Sequence, residues 1–566
     1  MSTRSTRSGS AAGKKQAAKR PVDDKSQFSA TDPPPPSVDI SERAWKIAAI
    51  SIFLVAAVLR VYDLTLVPLH HDEGVNGNFL VRLVRDGAYQ YDPANYHGPT
   101  LYYFSAFVPW LLRFLFGVSA RETYGLSTVA IRLVPALFGL GTVWLVFLMR
   151  RYIGTIAALT GALLLAISPG AVYLSRYYIH ETLFVFFTLG IVVAALKFYL
   201  ERNGWYLLVA AGSAALLFAT KETAMISAAV LLIALAITRL YVQLVKKADP
   251  PTKTKKKRAP RTDTFAAFLE EIGGPLNLAV WVTLALLVFF GLNVIFYSSF
   301  FTNYPKGVYD ALRTFEFWSK TGKDAHVHPF HTYLVWLFKQ ESGLLFLGIL
   351  GAALTVLRPK RPVVLFCALW AFGLIAAYSL IPYKTPWLAL NFIVPLAIVA
   401  GYAIQEIYEM NKHRWRSPFV VPGIAVVLGV ALIVGTFQTI DLNFVNYDND
   451  STYYVYVYAH THRETKTLVD EVDKAARRAN QGITGITIMS PDYWPLPWYF
   501  RNYSRVGYYG RITQTTEPIV IASETQRNDV ESNLGPQYRL VPSGSATGAF
   551  PLRPGVELLL YVRQAP

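Results

Sequence analysis

Four consecutive residues, His70-His71-Asp72-Glu73, set two imidazoles beside two carboxylates just past the first long apolar block of the chain. A carboxylate in a partly dry cavity can take a proton from a hydroxyl or amine as that group attacks. Neighbours on a helix point about 100° apart, so Asp72 and Glu73 need not share one role. Asp72 also precedes a helix expected over 75–85, where an acid is favoured, and capping is compatible with base chemistry. The same four residues, and the set His326-x-His328-x2-His331, carry enough imidazole and carboxylate for a divalent metal. The second spacing matches no recognised zinc pattern and reads more readily as a polar loop over a cavity.

A second group of residues suits an anion. Arg176, Lys221, Lys384, Arg82 and Arg85 are candidates to hold a phosphate, arginine as a planar fork and lysine as a point charge. Arg82 and Arg85 read equally as a solvated helix face. The others lie in short turns between apolar blocks: Arg176 and Glu181 in 175–181, Lys221 and Glu222 in 219–224, and Tyr383, Lys384 and Trp387 in 383–387. Any one such charge reads as a snorkelling or interfacial ion pair. Ionisable groups near a bilayer are costly, so all of them framing one cavity points to function.

The elements that must gather these residues are membrane spans. The chain has 566 residues, 53% apolar and 16% charged, and many of its apolar blocks approach the roughly 20 residues that cross a bilayer. The net charge of +17 marks topology rather than nucleic-acid binding, because Lys and Arg cluster between the blocks. Residues 1–44, basic and ending in Pro33–Pro36, read as a disordered cytoplasmic tail. If the block 101–116, interrupted by Arg113, spans, then Arg150-Arg151 and the run 253–261 fall outside the cell, against the positive-inside rule. If it lies along the outer interface, five basic loops fall inside. This second threading predicts about 11 spans: 45–66, 129–149, 155–174, 181–200, 204–219, 222–245, 276–299, 342–357, 362–380, 386–408 and 418–437. It places nine of the ten histidines outside, with the C-terminal part. The basic insertion 246–261 then suits anionic headgroups.

Three regions follow: the tail 1–44, a transmembrane module 45–437, and an extracytoplasmic α/β domain 438–566. In the last, 464–480 has helical spacing, and 485–489, 519–521, 538–541 and 558–562 read as strands. The single cysteine, Cys367, excludes an intrachain disulfide.

The ordered motifs resemble the GT-C superfamily of integral membrane glycosyltransferases. The branch is that of protein O-mannosyltransferases and lipid A aminoarabinose transferases, and more narrowly the flippase-activity-associated prokaryotic subgroup. The matches are His71-Asp72-Glu73-Gly74, the stretch Gly98–Tyr103, Ile131–Leu137, Ser175-Arg176-Tyr177 ahead of Glu181, Lys221–Ala224 and Pro386-Trp387, distributed over 45–440. Where the branch commonly has Lys-Pro-Pro, this chain has His97-Gly98-Pro99, so His97 would replace a phosphate-binding lysine. The resemblance implies a GT-C-like fold and a polyprenyl-phosphate sugar donor. It implies Asp72 or Glu73 as the base, with Arg176, Lys221, Lys384 and His97 at the donor phosphate. His71, Glu181, Glu222, Tyr383 and Trp387 would line the cavity. The acceptor, a protein, lipid or glycan, would meet the donor on the outer side of the cell membrane. The rival is a lipid-linked oligosaccharide flippase or its accessory, which would show repeat symmetry and broken spans at the midplane.

Overall fold

The computed structural model describes residues 40–87, 89–94, 97–120, 125–248, 265–320, 326–480 and 484–564. The tail expected over 1–44, apart from its last five residues, lies outside the described residues, as does most of the insertion 246–261.

The protein is a multi-pass membrane protein. Among the described residues, eight helices are long and apolar enough to cross a bilayer: Glu42–Val61, Thr128–Leu148, Glu181–Glu201, Ala224–Val245, Pro275–Tyr297, Pro362–Leu380, Pro386–Trp415 and Val420–Val445. Two bent pairs raise the number to ten, fewer than the 11 expected. The expected span 204–219 is a helix of 14 residues, Trp205–Phe218. At 1.5 Å per residue it reaches about 21 Å, short of a hydrocarbon core of about 30 Å. The expected span 155–174 is the pair Thr155–Ala166 and Pro169–Ser175, bent by 61°. Ser168 caps the second helix by accepting from Ala171 N–H, and Pro169 follows at its first position. A proline has no N–H to continue the incoming helix but suits the first turn of a new one. The span 342–357 is preceded by Thr332–Gln340 at a bend of 115°. The two bends are stapled together, since one Glu341 carboxylate oxygen accepts from Ser168 Oγ (2.7 Å) and Gly170 N–H (2.8 Å).

The helix Pro386–Trp415 is the centre of the bundle, with 94% of its apolar window buried. It packs against Thr155–Ala166 and Ser342–Leu357. The expected interfacial segment 101–116 is a helix, Thr100–Phe116. One face buries Leu101, Tyr102, Tyr103 and Ala106, while Phe107, Trp110, Phe114 and Phe116 are exposed on the other. An apolar face left outside the packed bundle suits lipid.

The C-terminal part carries a six-stranded sheet in the order β2-β1-β3-β6-β4, with β5 also on β6. The strands are β1 (Ile486–Ile488), β2 (Val506–Tyr508), β3 (Ile519–Ser523), β4 (Tyr538–Val541), β5 (Phe550–Arg553) and β6 (Val556–Arg563). Both β2 and β3 run parallel to β1, and β3 is antiparallel to β6. Strand β3 is buried along its whole length, as expected of a central strand covered on both faces. The helix Glu464–Asn480 packs on the sheet through Leu468, Val472, Ala475 and Ala476.

Candidate active site

The helix carrying the acidic pair begins earlier than expected, at His71, and runs to Asp86. Its start is a capping box. His70 N–H donates to Glu73 Oε2 (3.0 Å), and His70 Nδ1 accepts from Asp72 N–H (3.1 Å). That bond places the imidazole proton on Nε2, which donates to the Tyr458 carbonyl (3.2 Å). The pentad His70 to Gly74 is therefore rigidly oriented.

Within it the two carboxylates are treated differently. Glu73 is fully buried. Its Oε1 accepts from Arg132 Nε (2.7 Å) and Tyr178 N–H (2.7 Å), and its Oε2 lies 2.5 Å from Arg132 Nη2. Arg132 also donates to the carbonyls of Leu64, Val67 and Pro68, so it ties the loop after the first span to the base of the site helix. A bidentate pair with every lone pair used is a structural joint. Asp72, one position earlier, has a side chain 25% exposed. It lies within electrostatic reach of the Tyr177 and Tyr383 hydroxyls, and burial raises both of these above the ordinary tyrosine value.

The site helix is held from above by the C-terminal part. Gly74 and Gly77 form one small-residue face. A Cβ at Gly74 would stand 2.6 Å from Pro495 Cβ, and one at Gly77 would stand 2.5 Å from the Trp498 ring. Trp498 Nε1 donates to Thr128 Oγ1 (3.2 Å), and the Tyr499 hydroxyl accepts from Leu69 N–H (2.9 Å). Arg85, expected as a phosphate ligand or a solvated residue, donates instead to the Arg501 carbonyl and Asn502 Oδ1.

The cations divide into two kinds. Arg176 gives its guanidinium to the carbonyls of Leu59, Tyr62 and Asp63 and stacks on Phe444, and burial lowers its pKa to about 10. Like Glu73, it serves to tie loops. Buried Lys221 and Glu181 and the part-buried Glu222 and His97 form one cluster. Lys221 Nζ lies 2.5 Å from Glu181 Oε1, and His97 Nδ1 lies 2.9 Å from Glu222 Oε2. Burial opposes the Lys221 charge, but the two carboxylates prevail and raise its pKa. Burial likewise opposes ionisation of Glu222, yet His97 and Lys221 hold it below the ordinary carboxylate value. Lys384 is buried, donates to the carbonyls of Ile381 (2.6 Å) and His328 (3.2 Å), and has its pKa lowered by burial.

Tyr383 connects the halves of the site. Both Asp72 and Lys221 act on its hydroxyl. It pairs with Val327 across an isolated bridge and packs against His326 at 5.4 Å. Trp387 stands between His70 (6.4 Å) and Tyr458 (6.0 Å). His71 turns away, toward Trp494 at 6.1 Å. Of the expected residues, Asp72, Lys221, Glu181, Tyr383 and Trp387 thus surround one region.

Sequence reasoning missed Arg132, His180 and His460. His180 Nε2 meets the Gly98 carbonyl (3.0 Å), and His460 Nε2 meets the Tyr173 hydroxyl (2.8 Å). Burial holds both imidazoles well below the ordinary histidine value. An arginine in an apolar block, as Arg132 is, was the available signal.

Among the described residues, the two metal sets read from the sequence do not converge. His326 Nδ1 pairs with the Tyr458 hydroxyl (2.6 Å), and His331 stands at the N-terminal boundary of the helix Thr332–Gln340. The group that does converge is Asp448, His462 and Glu464. Both Asp448 oxygens are taken by the Arg463 guanidinium, so a cation would have to displace it.

A bundle with this broken helix pair, a capped acidic helix over its end and a sheet clasping that helix has the GT-C fold. Residues 105–250 match the family described as dolichyl-phosphate-mannose-protein mannosyltransferase. By fold and by this stretch of sequence, the chain is similar to integral membrane glycosyltransferases of the GT-C type. The crystal structure of ArnT from Cupriavidus metallidurans bound to undecaprenyl phosphate superposes with a TM-score of 0.60 at 12% identity, covering 92% of this chain and 98% of that one. The same protein in its apo state gives 0.56 at 14% identity, with the same coverage. Comparison with curated protein sequences finds no match.

Proposed function

We propose that this protein transfers a sugar from a polyprenyl-phosphate carrier to an acceptor on the outer side of the cell membrane, inverting the anomeric centre. Residues 45–437 form the catalytic module, 438–566 the outer domain, and the N-terminus is cytoplasmic. The observation that carries this reading is the division of labour in the acidic pair: Glu73 is locked on Arg132, while Asp72 keeps a part-exposed carboxylate beside Tyr383 and the Lys221 cluster. A fold shared with a protein whose crystal structure holds undecaprenyl phosphate supports the choice of donor.

Asp72 takes the proton of the acceptor nucleophile as that atom bonds to the anomeric carbon. The bond from that carbon to the lipid phosphate breaks on the opposite face, and the phosphate leaves with the electron pair. Its charge needs a cation as it develops. Lys221 is the first candidate, with His97 beside it through Glu222, and Lys384 the second. Arg176 is committed to backbone carbonyls, and Lys384 would have to leave those of Ile381 and His328 to serve. The lipid chain enters along the exposed apolar face of Thr100–Phe116.

A second reading, flipping of lipid-linked sugars, draws support from the two broken helix pairs. Glu341 staples those breaks to each other, which suits a fixed scaffold. The test is transfer of labelled sugar from a panel of polyprenyl-phosphate sugars to an envelope extract by purified protein in lipid. Transfer that Asp72→Asn abolishes is expected. Full transfer by Asp72→Asn removes the base, and leaflet scrambling without transfer moves the reading to the flippase.

A further inference from the structure

The outer sheet has a topological switch point that the transfer reaction alone does not require. From β1 the chain adds β2 on one side and then β3 on the other, all three parallel. In open parallel sheets, ligands bind in the crevice beyond the carboxyl ends of the strands at this reversal. A cavity of about 380 Å³ lies there. Clefts that bind small ligands run from about 300 to 1,000 Å³. The residues just past β1 (Asp492) and at the end of β3 (Ser523, Thr525) line it, with Arg553 and Glu557 from the β5–β6 hairpin.

The lining fixes the chemistry. Arg553 is paired with Asp492, and Glu557 lines the space together with Ser523 and Thr525, whose hydroxyls bond to each other at 2.8 Å. Glu524 adds a further carboxylate, itself paired with Arg527. Carboxylates and hydroxyls accept from, and exchange hydrogen bonds with, the hydroxyls of a sugar. Three carboxylates against the two arginines paired with them leave one excess negative charge, which disfavours phosphate or carboxylate groups. The cavity has too little apolar surface for a lipid chain. Asp492 is followed in sequence by Tyr493 and Trp494, whose rings pack at 5.7 Å in a tilted arrangement and offer apolar surface for a sugar ring.

Residues next to the cavity in sequence also pack on the first turn of the site helix. The Trp494 ring faces the His71 ring at 6.1 Å, and Pro495 fills the notch left by Gly74, in the same first helical turn as Asp72. We infer that this cleft at the β1/β3 switch point is an acceptor subsite for an uncharged, hydroxyl-rich saccharide, which holds the acceptor glycan so that its terminal hydroxyl reaches Asp72. This inference rests on the transferase reading and names its acceptor class.

The test uses the full chain in lipid nanodiscs, with no donor present. The protein is screened on an array carrying uncharged oligosaccharides, phosphate-bearing glycans and peptides. Retention of uncharged oligosaccharides is expected, weakened at least tenfold by Glu557→Gln and by Asp492→Asn. Glu557 meets only the Thr547 hydroxyl, at 3.4 Å, so its substitution leaves folding intact even where loss of the Asp492–Arg553 pair does not. Retention of peptides or phosphoglycans alone, no retention at all, or retention indifferent to Glu557→Gln overturns the proposal. Since no transfer enters the measurement, failure here leaves the donor reaction standing. Retention by a protein that transfers from none of the polyprenyl-phosphate sugars overturns the reaction and keeps the cleft.

Discussion

The bundle buries clusters of opposite charge at both ends, and only one of them resembles a site. At the end away from Asp72, Glu406 is fully buried with Lys360 at 2.8 Å and Arg358 at 3.6 Å, and Glu409 meets Arg361 at 3.3 Å. Gln405 caps the helix Thr155–Ala166 by accepting from Ile156 and Ala157 N–H, and Arg361 reaches the Tyr152 carbonyl. There, three cations serve two carboxylates and pull loop ends onto the central helix. At the other end, Glu73–Arg132 and Glu181–Lys221 are as deeply buried, but they underlie a part-exposed Asp72 and an edge of Tyr383, Trp387 and Tyr458. Buried charge alone therefore does not mark function. What distinguishes the site is a satisfied ionic layer that aims a further carboxylate into an accessible space.

That distinction can be broken, first at its foundation. Arg132→Leu leaves Glu73 buried without its partner, and breaking a buried pair costs about 3–5 kcal/mol. Loss of most folded, monodisperse protein in size-exclusion chromatography is expected. An undiminished yield would show that the joint is dispensable. Next, Asp72→Asn should lower transfer by roughly 10²–10⁴-fold, the range of general-base catalysis, with the thermal transition unmoved. A fall in both together would place Asp72 in the structural layer beside Glu73.

A sharper version uses the clasp. Gly77→Ala drives a methyl into Trp498, and overpacking of this kind costs about 1–3 kcal/mol. Limited proteolysis should then cut the C-terminal part faster, with transfer reduced less than in Asp72→Asn. At the far end, Glu406→Gln should lower the thermal transition while the rate per folded molecule stays unchanged. A loss of rate would give that end a role beyond clamping.

The smallest effect is one of pH. Glu222 has a folded pKa below its ordinary 4.5. Its contribution to stability is therefore complete above the unfolded value and is lost as pH falls through the lowered folded value. Acid unfolding below about pH 4.5 should be less steep in His97→Gln, because His97 is the leading cause of that lowering.

Much of this was legible from residue order. Long apolar blocks, acids and cations in the connecting turns, and the alternation after residue 484 led to the spans, the site turns and four of the six strands. The misses share a physical origin. Glu73 and Asp72 are indistinguishable neighbours until Arg132, 59 positions away, is folded against one of them. Arg176 looks like an anion ligand because the carbonyls that occupy it belong to a loop more than 100 residues earlier. The bend in 155–175 was the exception, since Ser168-Pro169 is a local helix-start signal inside an apolar run.

The clasp between the site helix and the outer sheet has a consequence for how the protein is made. Leu69 and Tyr499, which bond directly, are separated by 430 residues. At synthesis rates of about 5–20 residues per second, the acidic turn waits roughly 20–90 s in the membrane for the segment that seats it. Every span is inserted before that segment emerges. A ribosome that stops short leaves a complete bundle with an unseated acidic turn.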